Sequence, residues 1–264
     1  MSDAPAAAGI REGRATLDEH RRLWRLKPSL AAVYRPWFRE LLGRLDEGAR
    51  VLEVGAGPGF LAAFAREARP DLLWLSSDLI PAPWNDVAAE AGALPVERGR
   101  FDAVVAVDAL HHLPAPRPFF QEAGRALGPG GWLLCLEPWI TPLSFPIYRY
   151  FHQEACTPGL DPWEPFAGSG SKQPFDGDAA LPWRLVRDTP AGEWRGLGFE
   201  PPGRSLINGL AYLLSLGFRE RSLLPLPLVG PLQGLDRALA FAAPLLALRA
   251  LLSWRRLGSE GAAS

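Results

Sequence analysis

Lysine is almost missing from this chain. Only Lys27 and Lys172 occur, and the other basic residues are all arginine. Alanine, glycine and proline are abundant, so this bias fits codon usage better than a phosphate-binding surface. Basic and acidic residues nearly cancel, leaving a net charge of −1. Nothing global therefore draws nucleic acid, and no nucleic-acid partner is expected. Cysteine is scarce too: Cys135 and Cys156 stand alone without regular spacing. That excludes a disulfide framework, fits a reducing, cytoplasmic setting, and points to no metal site. Residues 1–14 carry acids at Asp3 and Glu12 and lack the apolar run of a signal peptide. This small, polar stretch is expected to be disordered, as is the tail 258–264. No internal repeat is present. A chain of 264 residues can bury one large core carrying a cap.

What the chain does have is concentrated in Val51-Leu52-Glu53-Val54-Gly55-Ala56-Gly57-Pro58-Gly59-Phe60-Leu61. A run of apolar, partly β-branched residues reads as a buried parallel strand. Three alternate glycines follow, where the backbone can turn and a ligand can approach closely. Leu61 to Ala68 reads as a helix ended by Pro70. Strand, glycine turn and helix N-terminus form a cradle of the kind that holds nucleotide cofactors. A dinucleotide site wants glycine where Phe60 stands. Glu53 at the strand end suits a cationic ligand better than a phosphate. A nicotinamide-dependent oxidoreductase is thereby disfavoured.

The remaining elements follow in order. Leu17–Leu26 reads as a basic helix. Ser29 is expected to cap a second helix, Leu30–Leu45, with Leu30, Val33, Trp37, Leu41 and Leu45 on one face and Pro36 as a kink or break. Leu72–Leu79 reads as a strand bearing Asp78 at its end, where an acid can accept the hydroxyls of a ribose. Phe101–Asp108 reads as a strand, Phe119–Leu127 as a helix, and Trp132–Glu137 as a strand. Residues 138–192 mix aromatics with ionisable groups, with a loop through 168–178. Leu206–Leu216 is apolar, as helix or strand.

The run Glu53–Gly59 resembles motif I of the class I S-adenosylmethionine (SAM)-dependent methyltransferases, in the form E-x-G-x-G-x-G. The resemblance extends to Glu90-Ala91-Gly92-Ala93-Leu94-Pro95, to Asp108-Ala109-Leu110-His111-His112-Leu113, and to Glu122–Trp132, which matches E-x-x-R-x-L-x-P-G-G. It implies an α/β fold: a Rossmann-like, seven-stranded, mainly parallel sheet with helices on both faces, N-terminal helices and an inserted cap. It implies one methyltransferase domain over 15–257, with its core at 46–137, its cap at about 138–192 and an apolar C-terminal part at 206–257. It implies SAM as cofactor, held by Glu53, Gly55, Ala56, Gly57, Gly59, Asp78, Leu79, Glu90, Ala91 and Asp108. The acceptor is expected to be small or lipid-like. A methyltransferase-fold protein that binds SAM without catalysis remains the alternative.

Catalytic candidates are histidines. His152 stands in the cap near Glu154, and His111 in the loop after the fourth strand. His111 and His112 are sequence neighbours, so their rings are expected to diverge and to make poor joint metal ligands. In the tail, Ala238–Trp254 is 17 residues with one charge, Arg249. That is shorter than the roughly 20 residues of a spanning helix. Ending in Trp254-Arg255-Arg256, it reads as a helix that packs on the core or lies on a membrane surface. Peripheral membrane contact is accordingly expected through 223–256.

Overall fold

The computed structural model describes residues 4–166 and 173–258. Seven strands form one sheet: β1 (Arg50–Val54), β2 (Leu73–Asp78), β3 (Val87–Ala88), β4 (Phe101–Val107), β5 (Leu127–Pro138), β6 (Gly203–Asn208) and β7 (Ala247–Arg255), in the order β3-β2-β1-β4-β5-β7-β6. β1 to β5 pair in parallel, and β7 runs antiparallel between β5 and β6. The chain reverses direction across the sheet between β1 and β4. Open α/β sheets bind ligands beyond the carboxyl ends of the strands at such a point.

The central strands are buried on both faces, which is why they read as unbroken apolar runs. Leu52, Val104 and Leu133 enter one core with Phe119, Phe120 and Trp194. Val51, Val105 and Leu134 enter the other with Leu30, Val33 and Leu41. Trp254 completes the first core, edge-on to Phe120 at 5.2 Å between centroids.

Helices α1 (Ala4–Leu26) and α2 (Pro28–Leu42) precede the sheet. The N-terminus is thus helical from Ala4 rather than loose, since its alanines are the strongest helix formers. Gly13 lets α1 close onto Ile80, where a Cβ would come within 2.3 Å of that side chain. α2 starts at Pro28, so Ser29 is not its cap; proline suits the first helical position, which needs no N–H. Pro36 lies inside α2 without splitting it, and the expected apolar face is buried. α3 (Phe60–Ala68) and α4 (Pro116–Ala126) flank the sheet as foreseen.

The cap holds α5 (Ser144–Tyr150), α6 (Leu181–Asp188) and α7 (Ala191–Gly196). Residues 167–172, which include the first part of its expected loop, lie outside the described residues, as do 1–3 and 259–264. The stretch Leu206–Leu216 is both strand and helix: the end of β6, then α8 (Leu210–Ser215). α9 (Leu226–Ala238), a 3-10 turn (Ala240–Ala242) and α10 (Ala243–Leu246) follow.

The tail is where the structure departs most from expectation. Ala247–Arg255 is a strand, not the second half of an interfacial helix. Pro244 sits in the first turn of the short α10, and the strand that follows is buried from Ala247 to Leu252. Trp254 is wholly buried, Arg255 lies over the Trp132 ring, and Arg256 donates to the Gly124 and Gly198 carbonyls. Trp254-Arg255-Arg256 is a sheet closure, not a headgroup anchor. No helix among the described residues is long and apolar enough to cross a membrane.

Candidate active site

A cavity of about 820 Å³ opens at the carboxyl ends of β1, β2 and β4. Small-molecule sites run roughly 300–1,000 Å³, so this one lies near the upper end. Its floor is the glycine turn. Gly55 takes φ +71° and a Cβ there would come within 2.5 Å of the Ala109 Cβ, so only glycine lets the turn after β1 pass the turn after β4.

Side chains from outside hold that turn. The Asp78 carboxylate accepts the Gly57 N–H at 2.7 Å and the Ile80 N–H at 2.8 Å. The Gly57 carbonyl accepts the Trp84 indole N–H at 2.8 Å. Arg21 of α1 donates to the Pro58 carbonyl and covers the Trp84 ring at 4.2 Å. Gly59 packs under Trp84 and does not line the cavity. Gly55, Ala56 and Gly57 do line it, together with Glu53, Asp78, Leu79, Glu90, Ala91 and Asp108.

Burial dominates the electrostatics. Glu53 is buried and its pKa is pushed up to about 8 by desolvation, although its carboxylate accepts the Trp74 indole N–H at 2.9 Å. Burial also raises Asp78, partly offset by its two backbone N–H bonds. Each carboxylate oxygen of Asp78 keeps a lone pair for a ligand hydroxyl.

The loop bearing Glu90 and Ala91 is braced by the E-x-x-R run of α4. Glu122 accepts the Leu94 N–H at 2.9 Å, and Arg125 donates to the Leu94 and Val96 carbonyls at 2.8 and 2.6 Å. Glu122 and Arg125 pair with each other. That run binds no ligand itself; it pins the wall that faces one.

The other end of the cavity comes from distant segments. Leu17 and His20 of α1, Tyr34 of α2, Tyr148 of α5, Tyr212 of α8, Phe218 and Arg249 line it. Arg249 is buried, ion-paired with Asp108, and lies over the Trp37 and Tyr212 rings at 5.3 and 5.7 Å. Asp108 also accepts the Tyr34 hydroxyl at 3.3 Å. Asp108 thus faces the tyrosine end and is already engaged on both oxygens. Sequence reasoning missed the tyrosines and Arg249. The single charge in the apolar run 238–254 was the available signal.

Lys27 ties this end shut. Its ammonium is buried and reaches the carbonyls of Ser215, Gly217, Arg219 and Arg221 at 2.6–3.1 Å. The held segment places Phe218 against His20, stacked at 4.3 Å.

The histidine candidates separate. His111, on the 3-10 turn Leu110–His112, is buried between two carboxylates. Its Nδ1 meets Glu137 Oε2 at 2.6 Å, and its Nε2 lies 3.0 Å from Glu154 Oε2. Burial alone would lower its pKa; Glu154 and Glu137 outweigh that and push it up to about 10. Both ring nitrogens of His111 are thus taken up by carboxylates, one on each side. His152 also lines the cavity, and burial lowers its pKa, keeping the ring neutral. Its Nδ1 accepts the Glu154 N–H at 3.3 Å and stands 3.8 Å from the Glu154 carboxylate. His111 and His112 do not diverge: their ring centroids are 4.1 Å apart, tilted by 37°, because the tight turn brings both over Glu154.

The fold and this site together define a class I SAM-dependent methyltransferase. Residues 23–162 match the methyltransferase-domain family, and the chain belongs to it. It is 31% identical over 110 residues to the ubiquinone biosynthesis O-methyltransferase of Bordetella avium, which covers 37% of this chain and 45% of that protein. It is 40% identical over 100 residues to the fatty-acid O-methyltransferase of Mycolicibacterium smegmatis, covering 33% of this chain and 36% of that one. The chain spans about half the length of the curated relatives it matches. Among solved structures, a SAM-dependent methyltransferase from Archaeoglobus fulgidus superposes with a TM-score of 0.51 at 15% identity, over 86% of this chain and 94% of that one.

Proposed function

We propose that this protein transfers the methyl group of SAM to a small or lipid-like acceptor. One observation carries the reading. A single cavity has the glycine turn, Glu53 and Asp78 at one end, and aromatic and aliphatic side chains at the other. SAM supplies an electrophilic methyl on a sulfonium. In this reading Glu53 accepts the ammonium, Asp78 the ribose hydroxyls, and Glu90 with Ala91 the adenine edge. Gly55, Ala56 and Gly57 give the backbone surface on which the cofactor lies. Phe60, stacked on Trp24 at 4.0 Å, fills the space a dinucleotide would need.

Transfer is an in-line displacement. The protein's main task is to hold the acceptor atom about 3–3.5 Å from the methyl carbon, in line with the leaving sulfur. The tyrosine end does this by apolar packing, with hydroxyls for orientation. His152 is the base where the acceptor must lose a proton, since it faces the cavity as a neutral ring. Calorimetry with SAM and with NADH tests the cofactor: SAM should bind and NADH should not. Labelled SAM incubated with cell extract tests the transfer, with label expected in the organic-soluble fraction. Bound SAM without labelled product would leave a binding protein instead of an enzyme.

The finer location is part of the same proposal: cytoplasmic, in peripheral contact with a bilayer. Both cysteines are free and buried, in keeping with a reducing compartment. Phe151, 71% exposed, stands at the cavity rim beside Arg219, which donates to its carbonyl at 2.7 Å. The chain after Arg219 continues through exposed Leu223, Leu226 and Leu228 to Phe241, which is 83% exposed, and Leu245. Exposed Arg221 and Arg237 flank these side chains. Apolar tips beside arginines suit an interface of anionic lipid.

A further inference from the structure

His111, His112 and Glu154 converge on one point at the cavity wall, although they come from a 3-10 turn and from the cap. The His111 Nε2 lies 3.0 Å from Glu154 Oε2, and the His112 Nε2 lies 3.6 Å from Glu154 Oε1. All three line the cavity. Glu154 Oε2 is buried, yet it has no aligned hydrogen bond despite the nearby ring. The three donor atoms lie within 4.8 Å of one another.

The far side of each ring is also arranged. The His111 Nδ1 is fixed by Glu137 Oε2 at 2.6 Å. Glu137 is itself held, because its other oxygen accepts the Ala109 and Leu110 N–H groups at 3.1 and 2.8 Å. The His112 Nδ1 is fixed by the Asp176 carbonyl at 3.2 Å. A ring whose Nδ1 is tied to a carboxylate or carbonyl, and whose Nε2 is turned toward a cluster of donors, is how proteins orient metal-binding histidines. Gly177 makes the stack possible: a Cβ there would sit within 3.0 Å of both imidazoles.

We propose that His111 Nε2, His112 Nε2 and the Glu154 carboxylate bind one divalent transition ion, zinc by donor type. Two imidazoles and a carboxylate are a known zinc donor set that leaves positions open for water or substrate. Glu137 is left as the support behind His111, since its oxygens already hold two backbone N–H groups and the His111 Nδ1. Each imidazole binds the ion through a neutral Nε2 donor, and the Glu154 carboxylate offsets part of its charge. The open positions face the cavity. There, on the methyl-transfer reading above, the ion would hold an acceptor oxygen beside the methyl donor. The binding itself does not depend on that reading.

Zinc alone, titrated calorimetrically into the full-length, chelator-stripped protein without SAM, tests the site. One equivalent should bind, and cobalt(II) in its place should give the visible absorption of a four- or five-coordinate ion. His112→Asn and Glu154→Gln should each weaken zinc at least tenfold, about 1.4 kcal/mol. His20→Asn, the one histidine lying away from the cluster and the cap, should not change it. Glu154→Gln removes a partner of His111 and can unfold; His112, at the cavity edge, then decides alone. Absent or non-stoichiometric zinc binding overturns the proposal. So does unchanged affinity in a His112→Asn protein with the wild-type melting temperature. A separate titration with S-adenosylhomocysteine reports on the cofactor reading, so the two fail independently.

Discussion

The carboxylate of Asp78, at the end of β2, accepts the N–H of Gly57, in the turn after β1, at 2.7 Å. The acid that would take the cofactor's hydroxyls thus also shapes the backbone beneath the cofactor. One residue joins two strand ends into one floor.

Asp78→Ala should therefore cost more than a lost ligand contact. It frees the Gly57 and Ile80 N–H groups together. SAM affinity should fall at least tenfold, about 1.4 kcal/mol. Asp78→Asn, which preserves the shape, should fall between the two. Calorimetry on folded variants checks this, and equal affinity in Asp78→Ala would remove Asp78 from the site.

Glu53 makes stability depend on pH. Its pKa is raised to about 8 from a reference of 4.5, so the folded state keeps the proton longer than the unfolded state. Between about pH 4.5 and 8 the folded state binds more protons, and this residue lowers stability as pH rises, by up to about 1.4 kcal/mol per unit. Glu53→Gln should flatten that slope and melt higher than wild type at pH 8. The same variant should bind SAM more weakly, because the ammonium loses its carboxylate. A wild-type pH slope in Glu53→Gln would place the proton elsewhere.

His152→Ala should lose turnover while keeping SAM affinity, since the ring faces the cavity from the cap rather than from the glycine turn. Single-turnover rates with labelled SAM separate the two effects. Full activity across pH 6–8 would show that His152 is not an essential base.

Lys27→Met should loosen the roof of the cavity. Four carbonyls lose one buried ammonium, and an unsatisfied buried polar group costs about 1–3 kcal/mol. A lower melting temperature and faster amide exchange over residues 215–221 are expected. Unchanged exchange there would mean the roof is held by its aromatic stack alone.

Full-length protein should float with anionic liposomes at low salt, and Leu226→Gln/Leu228→Gln should not. Point substitutions are needed because a chain ending near Val229 would lack β7. Wild-type protein left at the bottom of the gradient would assign these side chains to another purpose.

Much of the fold was legible because buried parallel strands announce themselves. β1, β4 and the second half of β5 are apolar runs closed by glycine or acid, and the motifs between them fix their order. β7 was not legible. Its alanines and leucines carry no β-branched residue, and the run from Ala238 suits a helix by length as well as composition. Only its partners β5 and β6 make it a strand, and pairing is a tertiary fact. The cofactor end of the cavity lies within one contiguous stretch of sequence, so it could be read. The acceptor end joins Tyr34, Tyr148, Tyr212 and Arg249 across more than 200 residues, with no local pattern to mark them. The histidines were visible as letters, but their shared aim at Glu154 depends on how the cap folds back.

β7 is the last strand in chain order, yet it lies inside the sheet, between β5 and β6. During synthesis β6 has no neighbour to pair with until Arg255 has left the ribosome, and one edge of β5 stays bare as long. The nascent domain therefore carries a bare β5 edge from Pro138 onward, joined by an unpaired β6 once Asn208 is made, a state prone to self-association. Its closing step is the threading of one nine-residue strand into a waiting gap. A premature stop anywhere in the final helices would leave that gap open for a neighbouring chain to fill.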